Sequence, residues 1–575
     1  LFKSVSPGVR FKYGYRAGEQ LFKKQHGSGK VTLTRKVDQL IDRPMQISAA
    51  FSFPASFAIA DARHIPTCVD GLASRIFGNV EVKEFFQDDI ARAIEKYKET
   101  IPIIPNHLFL SYSEWRKNSR LPEWRLVAID KELESKGEGL YYVDGDDDYG
   151  CFIKYEEYDR PKAPRGIFGQ SNRLKGILSP LFTTIEREFY ATRHTIKHVD
   201  FDKLPEHIIE CVYQFGAVNR ATDYSSLEKS HTKWATENIV FAVYRHMCQN
   251  NPDALARLEL ALVTRARMKF NFKGFSATSS YRLSSGCRDT SLANLIVNDF
   301  LCYYVTEWRG ISEKHMTEGD DALQSTFAKT NIEADRLMLA TLGFDMTFET
   351  SDSLFDLSFC GQVMHEDSRQ LLTDPAKVLL RFGWLPYKCA GMRHTKKLAL
   401  YRMRALSLLL LYPSCPIVAT FCNRVLQLTV GIDHRQALRM TRNTYEREHY
   451  ERVLTAYDCL REKGFVVDGK IKTPAPTEAT RQLFAQHYNI SSDFQRKVER
   501  DFQSFEIGHF GTCNFTAYCD WRNPEWGKLS RTYVRKEEKN FARPRIVDQA
   551  RLNSLRALIS NPDALPFYAS LGHAF

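Results

Sequence analysis

The sequence predicts an α+β chain of several subdomains, and three observations carry that expectation. At 575 residues it exceeds what one hydrophobic core usually supports, and 43% hydrophobic residues supply cores in abundance. From about 205 to 365, short strand-like runs alternate with helical patterns. From about 375 to 505, helical patterns dominate.

The segments follow in order. Leu1 to Lys36 holds nine lysines or arginines against one acid, Glu19, within a chain of formal charge +11. Phe11, Tyr13, Tyr15 and Phe22 interleave with these bases, a mixture that suits a nucleic-acid backbone as well as it suits a solvated tail. "HGSGKVT" (26–32) lacks the first glycine of a phosphate loop and has Val31 after its lysine, so it is not one. Residues 83–99 read as an amphipathic helix. Residues 139–154 read as a β-hairpin whose acidic turn contains Gly145-Asp146-Asp147. The uncharged run 405–422 contains Pro413 and Pro416 and follows "YRMR", so a buried helix and its turn explain it better than a membrane span. The charge run 535–545 reads as a solvated face.

Thirteen cysteines are scattered without a C-x-x-C pair, which suits free, mostly buried thiols in a reducing compartment. His64 and Cys68, in "RHIPTC", resemble a metal fragment without partners. No signal peptide is evident, and a chain opening on Leu is expected to be a processed or trimmed product.

The chemistry is expected among acids spread along the chain. "NRATDYSSLEKSH" (219–231) holds Asp223 and, five residues on, Glu228. "LSSGCRDTSLANLIVNDF" (283–300) holds Ser285, Gly286, Thr290 and Asn294; a helix beginning near Thr290 puts Thr290 and Asn294 on one face. The stripe 295–305 that follows reads as core packing. "HMTEGDDALQ" (315–324) then repeats the Gly-Asp-Asp triplet as Gly319-Asp320-Asp321. Each piece alone is weak; their order and spacing are stronger.

With these motifs in place, the chain resembles the RNA-dependent RNA polymerases of positive-strand RNA viruses, most of all the tombusvirus- and nodavirus-like branch. The resemblance spans roughly 150–365. Asp223 matches the first acid of the D-x(4)-D palm motif, and Glu228 stands where the second Asp is usual. Ser285, Gly286, Thr290 and Asn294 match S-G-x(3)-T-x(3)-N in full, and Gly319-Asp320-Asp321 matches G-D-D. The stretch 152–182 looks like the basic fingers motif, with Arg165 in "APRGI" its best match and Lys154, Arg160 and Lys162 in support. "LSFCG" (357–361) is similar to the hairpin that grips the primer strand.

The resemblance implies a right-hand fingers–palm–thumb architecture, its palm an antiparallel sheet backed by helices. It would divide into a basic N-terminal extension (1–49), fingers (50–204 and 236–279), palm (205–235 and 280–365), and a thumb with a C-terminal extension (366–575). It implies RNA-directed RNA polymerisation: transfer of nucleotides from NTPs to an RNA 3′-hydroxyl by two Mg²⁺ or Mn²⁺ ions. Asp223, Asp320 and Asp321 would hold the ions, with the Tyr224 carbonyl completing a sphere. Glu228, Ser285, Thr290 and Asn294 would read the ribose 2′-hydroxyl. Gly286 would let the loop flex, and Arg165 with its basic neighbours would hold the triphosphate. Between Lys329 and Lys377 there is no lysine to act as general acid, and that role is unassigned.

The implied partners are an RNA template and product strand, NTPs, and other viral or host replication proteins, with no membrane span in this chain. The implied location is the host cytoplasm, with attachment to membrane-bound replication complexes through a missing segment or partner. A reverse transcriptase is the nearest alternative, but its hairpin usually reads Tyr-x-Asp-Asp. A non-catalytic RNA-binding replication subunit is the other. Local pattern favours 145–147 as the better hairpin turn; motif order instead assigns the chemistry to 319–321 and leaves 145–148 as an acidic turn.

Overall fold

Among the described residues, nine strands build the two larger sheets: β1 (Lys30–Leu33), β2 (Asp148–Ile153), β3 (Gly166–Gly169), β4 (Val218–Tyr224), β5 (Met268–Phe272), β6 (Phe275–Ser279), β7 (Glu313–Glu318), β8 (Asp321–Thr326) and β9 (Met346–Ser351). The computed structural model describes residues 87–507 except 155–156, 159–163, 198, 201–202, 225, 273–274, 329–330, 367–368, 383, 387–388, 390–391 and 442–443. It also describes 30–33, 46–48, 58–59 and isolated positions between 68 and 82. The chain is α+β, and among the described residues the sheets are antiparallel but for one strand pair.

The four-stranded sheet runs β7-β8-β4-β9 and is antiparallel throughout. Helices α1 (Gln87–Lys98), α2 (Asn172–Tyr190) and α3 (Leu204–Val212) precede β4; after β4 the chain passes through further helices and through β5 and β6 before α4 (Thr290–Val305) leads to β7, and α5 (Ile332–Thr341) joins β8 to β9. The connectivity is therefore β-α-β-β-α-β, a split β-α-β in which β8 inserts between β4 and β7. As a central strand β4 is covered on both faces, and along "VNRATDY" Asp223 is the exposed exception. Ala221, Met316 and Leu323 look into one core with Ile208 of α3 and Leu354. On the other side Tyr224 and Met346 join a second core with Leu295, Ile296 and Phe300 of α4.

The five-stranded sheet runs β1-β6-β5-β2-β3, with β5 and β2 parallel and the other pairs antiparallel. The expected hairpin at 139–154 forms only its second arm, β2, and that arm pairs with β3 and β5 instead. The physical reason is Arg173 of α2. Its Nε donates to the Gly137 carbonyl at 2.9 Å and its Nη2 to those of Gly139 and Tyr141, so the would-be first arm gives its carbonyls to a guanidinium rather than to a ladder.

The N-terminal segment does more than extend the chain: 30–33 adds an edge strand beside β6, and Gln46–Ser48 pairs with Trp384–Pro386. The helix expected at 83–99 is α1, with Ile90, Ala93, Ile94 and Tyr97 buried at helical spacing. The run 405–422 is the end of α6 (His394–Leu411), a turn at Ile417 (φ +67°) and the start of α7 (Val418–Leu428). No helix among the described residues is long and apolar enough to cross a membrane. The boundary expected at 365/366 does not separate cores, because Leu323 and Phe359 share one core with Leu406 and Phe421.

Candidate active site

The turn between β7 and β8 is two residues long, since Glu318 pairs with Asp321 across it. Gly319 takes φ +62° while Asp320 does not, the φ pattern of a II′ hairpin turn with glycine in its first central position. A Cβ on Gly319 would meet nothing within 4 Å, so the backbone conformation, not space, requires glycine. Pairing of Ala322 with Thr222, continued one step, brings Asp321 opposite Asp223 at the end of β4. Sequence order and sheet register thus deliver Asp223, Asp320 and Asp321 to one edge.

These acids feel one another. The Asp320 carboxyl opens to solvent but is walled by protein, and this partial desolvation raises its proton affinity, helped by the nearby charges of Glu228 and Asp223 and opposed by Arg165. Asp321 is pushed up to about 6, by burial first and then by Asp320 and Asp223. Asp223 is exposed, and its Oδ1 accepts the Tyr224 amide at 2.7 Å. Thr347 of β9 donates to the Asp223 carbonyl at 3.1 Å. Mutually disfavoured carboxylates are hard oxygen donors, and a divalent cation between them relieves the repulsion, so this donor set fits Mg²⁺ or Mn²⁺. Among the described residues no group of three or more acid, imidazole or thiol side chains is drawn tightly enough to ligate an ion as it stands. The acids are neighbours without a finished coordination sphere.

The remaining expected residues divide into three sets. Arg165 is exposed, and its charge acts on Asp320. Its carbonyl accepts the amide of Lys154, also exposed, at 2.8 Å, where β2 and β3 end together. Arg160 and Lys162 lie outside the described residues. Glu228, on a short helix at 227–230, accepts from Arg75 Nη1 at 3.3 Å while standing close enough to act on Asp320. Lys229 beside it lies near Asp345, and burial with the Arg75 charge holds its amine below the usual lysine range.

The second motif packs against the end of the five-stranded sheet. Ser285 Oγ donates to the Gly166 carbonyl at 2.6 Å. Gly286 forms a parallel bridge with Gly169, and a Cβ there would lie 2.6 Å from the Phe168 carbonyl oxygen. Close approach of backbone to β3, rather than flexing, is what this glycine provides in the structure. Thr290 does not accept a capping bond; its Oγ1 donates to the carbonyls of Ser284 (2.6 Å) and Cys287 (2.9 Å). Asn294, one turn on, is buried and bonds through Oδ1 to His231 Nε2 at 3.0 Å. Burial drives His231 down to about 3, so this imidazole is neutral at physiological pH and donates its Nε2–H.

Three groups escaped sequence reading. Asn298, in the stripe expected to be plain core, is fully buried and bonds to the hairpin backbone at Gly319 and Asp321. Asp299, next to it, accepts from His315 Nε2 and Arg193 Nε, both at 2.9 Å, and from Tyr97. This charged knot lies beneath β7. The polar residues interrupting "LIVNDFLCYYV" were the available signal. The hairpin read from "LSFCG" forms as a two-residue turn in which Phe359 and Gln362 exchange both backbone bonds, and Cys360 (φ +51°) and Gly361 (φ +74°) take the I′ pattern; the third group is the thiol it carries. The Cys360 thiol donates to the Asp321 carboxylate.

Asp146 of the first triplet is elsewhere and otherwise occupied. It is fully buried, with Oδ2 accepting Arg173 Nη1 at 2.5 Å and the Val143 amide at 2.9 Å. The expected acidic turn is there, and within it Asp146 is a buried counter-ion. No protein-family model matches the chain, and no curated protein matches it.

Proposed function

We propose that this chain is an RNA-directed RNA polymerase that adds nucleotides from NTPs to an RNA 3′-hydroxyl, as a replication enzyme of a positive-strand RNA virus. The observation that carries the reading is the meeting of Asp223, at the end of a central strand, with the Gly319–Asp321 hairpin at one edge of a β-α-β-β-α-β sheet. Three carboxylates from two distant motifs converge there, and burial together with the neighbouring acids raises the proton affinity of Asp320 and Asp321.

Asp223, Asp320 and Asp321 would hold two divalent cations, which when bound activate the attacking hydroxyl and neutralise the leaving pyrophosphate. The protein's own contribution is positioning and charge. Arg165, with Lys154 beside it, offers cations to the triphosphate from the end of the β2–β3 pair. Glu228 and the N-terminal turn of α4, with Thr290 and Asn294, form the polar wall for the ribose 2′-hydroxyl. The Arg75 contact holds Glu228, one methylene longer than the usual Asp, in a fixed pose. Residues 218–224 and 313–351 supply the palm, β2, β3, β5 and β6 the fingers, and the helices after 394 the thumb.

Primed RNA template, four NTPs and Mg²⁺ test the reading. Wild-type protein extends the primer by templated sequence, and Asp320→Asn does not. Extension by neither, with equal RNA binding, overturns the catalytic reading in favour of a binding subunit. Preference for dNTPs over NTPs turns it into a reverse transcriptase.

A further inference from the structure

The Gly319–Asp320 turn is not held by side chains at its tip: a Cβ at Gly319 would meet nothing within 4 Å, and Asp320 opens to solvent. Yet Asp320 on the turn and Asp321 beside it must be presented with defined geometry if they are to act on cations together with Asp223. What ties the turn down lies behind it. Asn298, on the third turn of α4 and fully buried, donates from Nδ2 to the Gly319 carbonyl at 3.2 Å and to the Asp321 carbonyl at 3.1 Å. Its Oδ1 accepts the Tyr224 hydroxyl at 3.1 Å.

The orientation of this amide follows from its neighbours. Two carbonyl oxygens can only accept, so the NH₂ group must face them, and the oxygen must face the hydroxyl. Tyr224 is buried, and its hydroxyl is placed as the donor to this oxygen. The residue therefore reaches both carriers of the acids at once: Tyr224, bonded through its amide to Asp223, and both ends of the turn that bears Asp320. No other amino acid of this size offers two donors and one acceptor in one plane.

We propose that Asn298 is the positioning residue of the carboxylate edge, setting the separation of Asp223 from Asp320 and Asp321 by clamping the hairpin backbone to the end of β4. The inference rests on the polymerase reading for the purpose of the site, and its test separates the two. It uses the full chain and two measurements on Asn298→Leu: hydrogen exchange of the 315–324 amides, and Mn²⁺ affinity by electron paramagnetic resonance. Leu295→Ala, a fully buried cavity variant on the same helix, controls for loss of packing alone.

Asn298→Leu is expected to raise exchange across 317–321 at least about tenfold and to weaken Mn²⁺ binding about tenfold, equivalent to about 1.4 kcal/mol. Leu295→Ala should lower thermal stability without either effect, and Tyr224→Phe should give a smaller change in Mn²⁺ affinity than Asn298→Leu. Unchanged exchange at the hairpin, or a Mn²⁺ effect no larger than that of Leu295→Ala, overturns the proposal. Should Asp320→Asn bind Mn²⁺ like wild type, the metal reading itself falls, and the positioning role falls with it even where exchange rises.

Discussion

Gly145-Asp146-Asp147 and Gly319-Asp320-Asp321 both turn on a glycine of positive φ, +89° and +62°, but their first aspartates meet opposite surroundings. Asp146 is fully buried against the Arg173 guanidinium, which also gathers the carbonyls of Gly137, Gly139 and Tyr141. Asp320 faces solvent among other acids, with partial desolvation and then the charges of Glu228 and Asp223 raising its proton affinity. One carboxylate is neutralised by its own chain and serves the fold. The other shares its edge with like charge, which a bound cation can relieve. Identical triplets therefore differ in chemistry because their countercharges differ.

The largest separation is expected between Asp320→Asn and the first triplet. On the proposed reading Asp320 would hold the cations, so removing its carboxylate should cut nucleotide addition by about a thousandfold or more, with thermal stability kept, as primer extension and thermal melting will read. Asp146→Asn should do the reverse. Breaking a buried pair costs roughly 3–5 kcal/mol, so the denaturation midpoint should fall markedly while activity per folded molecule persists. Loss of activity in folded Asp146→Asn would erase the contrast.

A smaller effect concerns pH. Asp321 in the folded chain holds its proton up to about 6, above the ordinary carboxylate value of about 4. The cation-free protein is therefore most favoured, with respect to this group, below about pH 4, and loses stability as pH rises from about 4 to 6 and the carboxylate ionises. Asp321→Asn should flatten that part of the melting profile, by on the order of 1–2 kcal/mol after solvent screening. Mg²⁺ should stabilise the wild type above pH 6 and hardly below pH 4. Substitution in the first triplet should leave the Mg²⁺ response unchanged. The smallest effect is expected for Asp147→Asn, which removes a partly exposed acid and should change stability by no more than about 0.5 kcal/mol and activity not at all.

Much of the architecture was legible. α1 announced itself by the spacing of Ile90, Ala93, Ile94 and Tyr97, and the proline-bearing run 405–422 by its length and breaks. The hairpin at 139–154 misled, because "GLYYV" has strand propensity and nothing within twenty residues reveals that Arg173 will take its carbonyls. The same holds for Gly286, whose need is a close approach to Phe168, over a hundred positions earlier. Asn298 and Asp299 were read as part of an apolar stripe, and their polar partners come from Gly319, Asp321, Tyr224, His315 and Arg193.

By itself the sequence determined the order of the acid motifs, the glycine that lets the 319–320 turn form, and the helix face shared by Thr290 and Asn294. These depend on residue type and short spacing, which the chain carries locally. Only the tertiary structure decided which Gly-Asp-Asp meets an arginine and which meets other acids, that Glu228 leans on Arg75, and that an asparagine in the core holds the hairpin. Those outcomes are set by contacts between segments tens to hundreds of residues apart, and a buried charge or amide takes its role from the partner that folding brings to it.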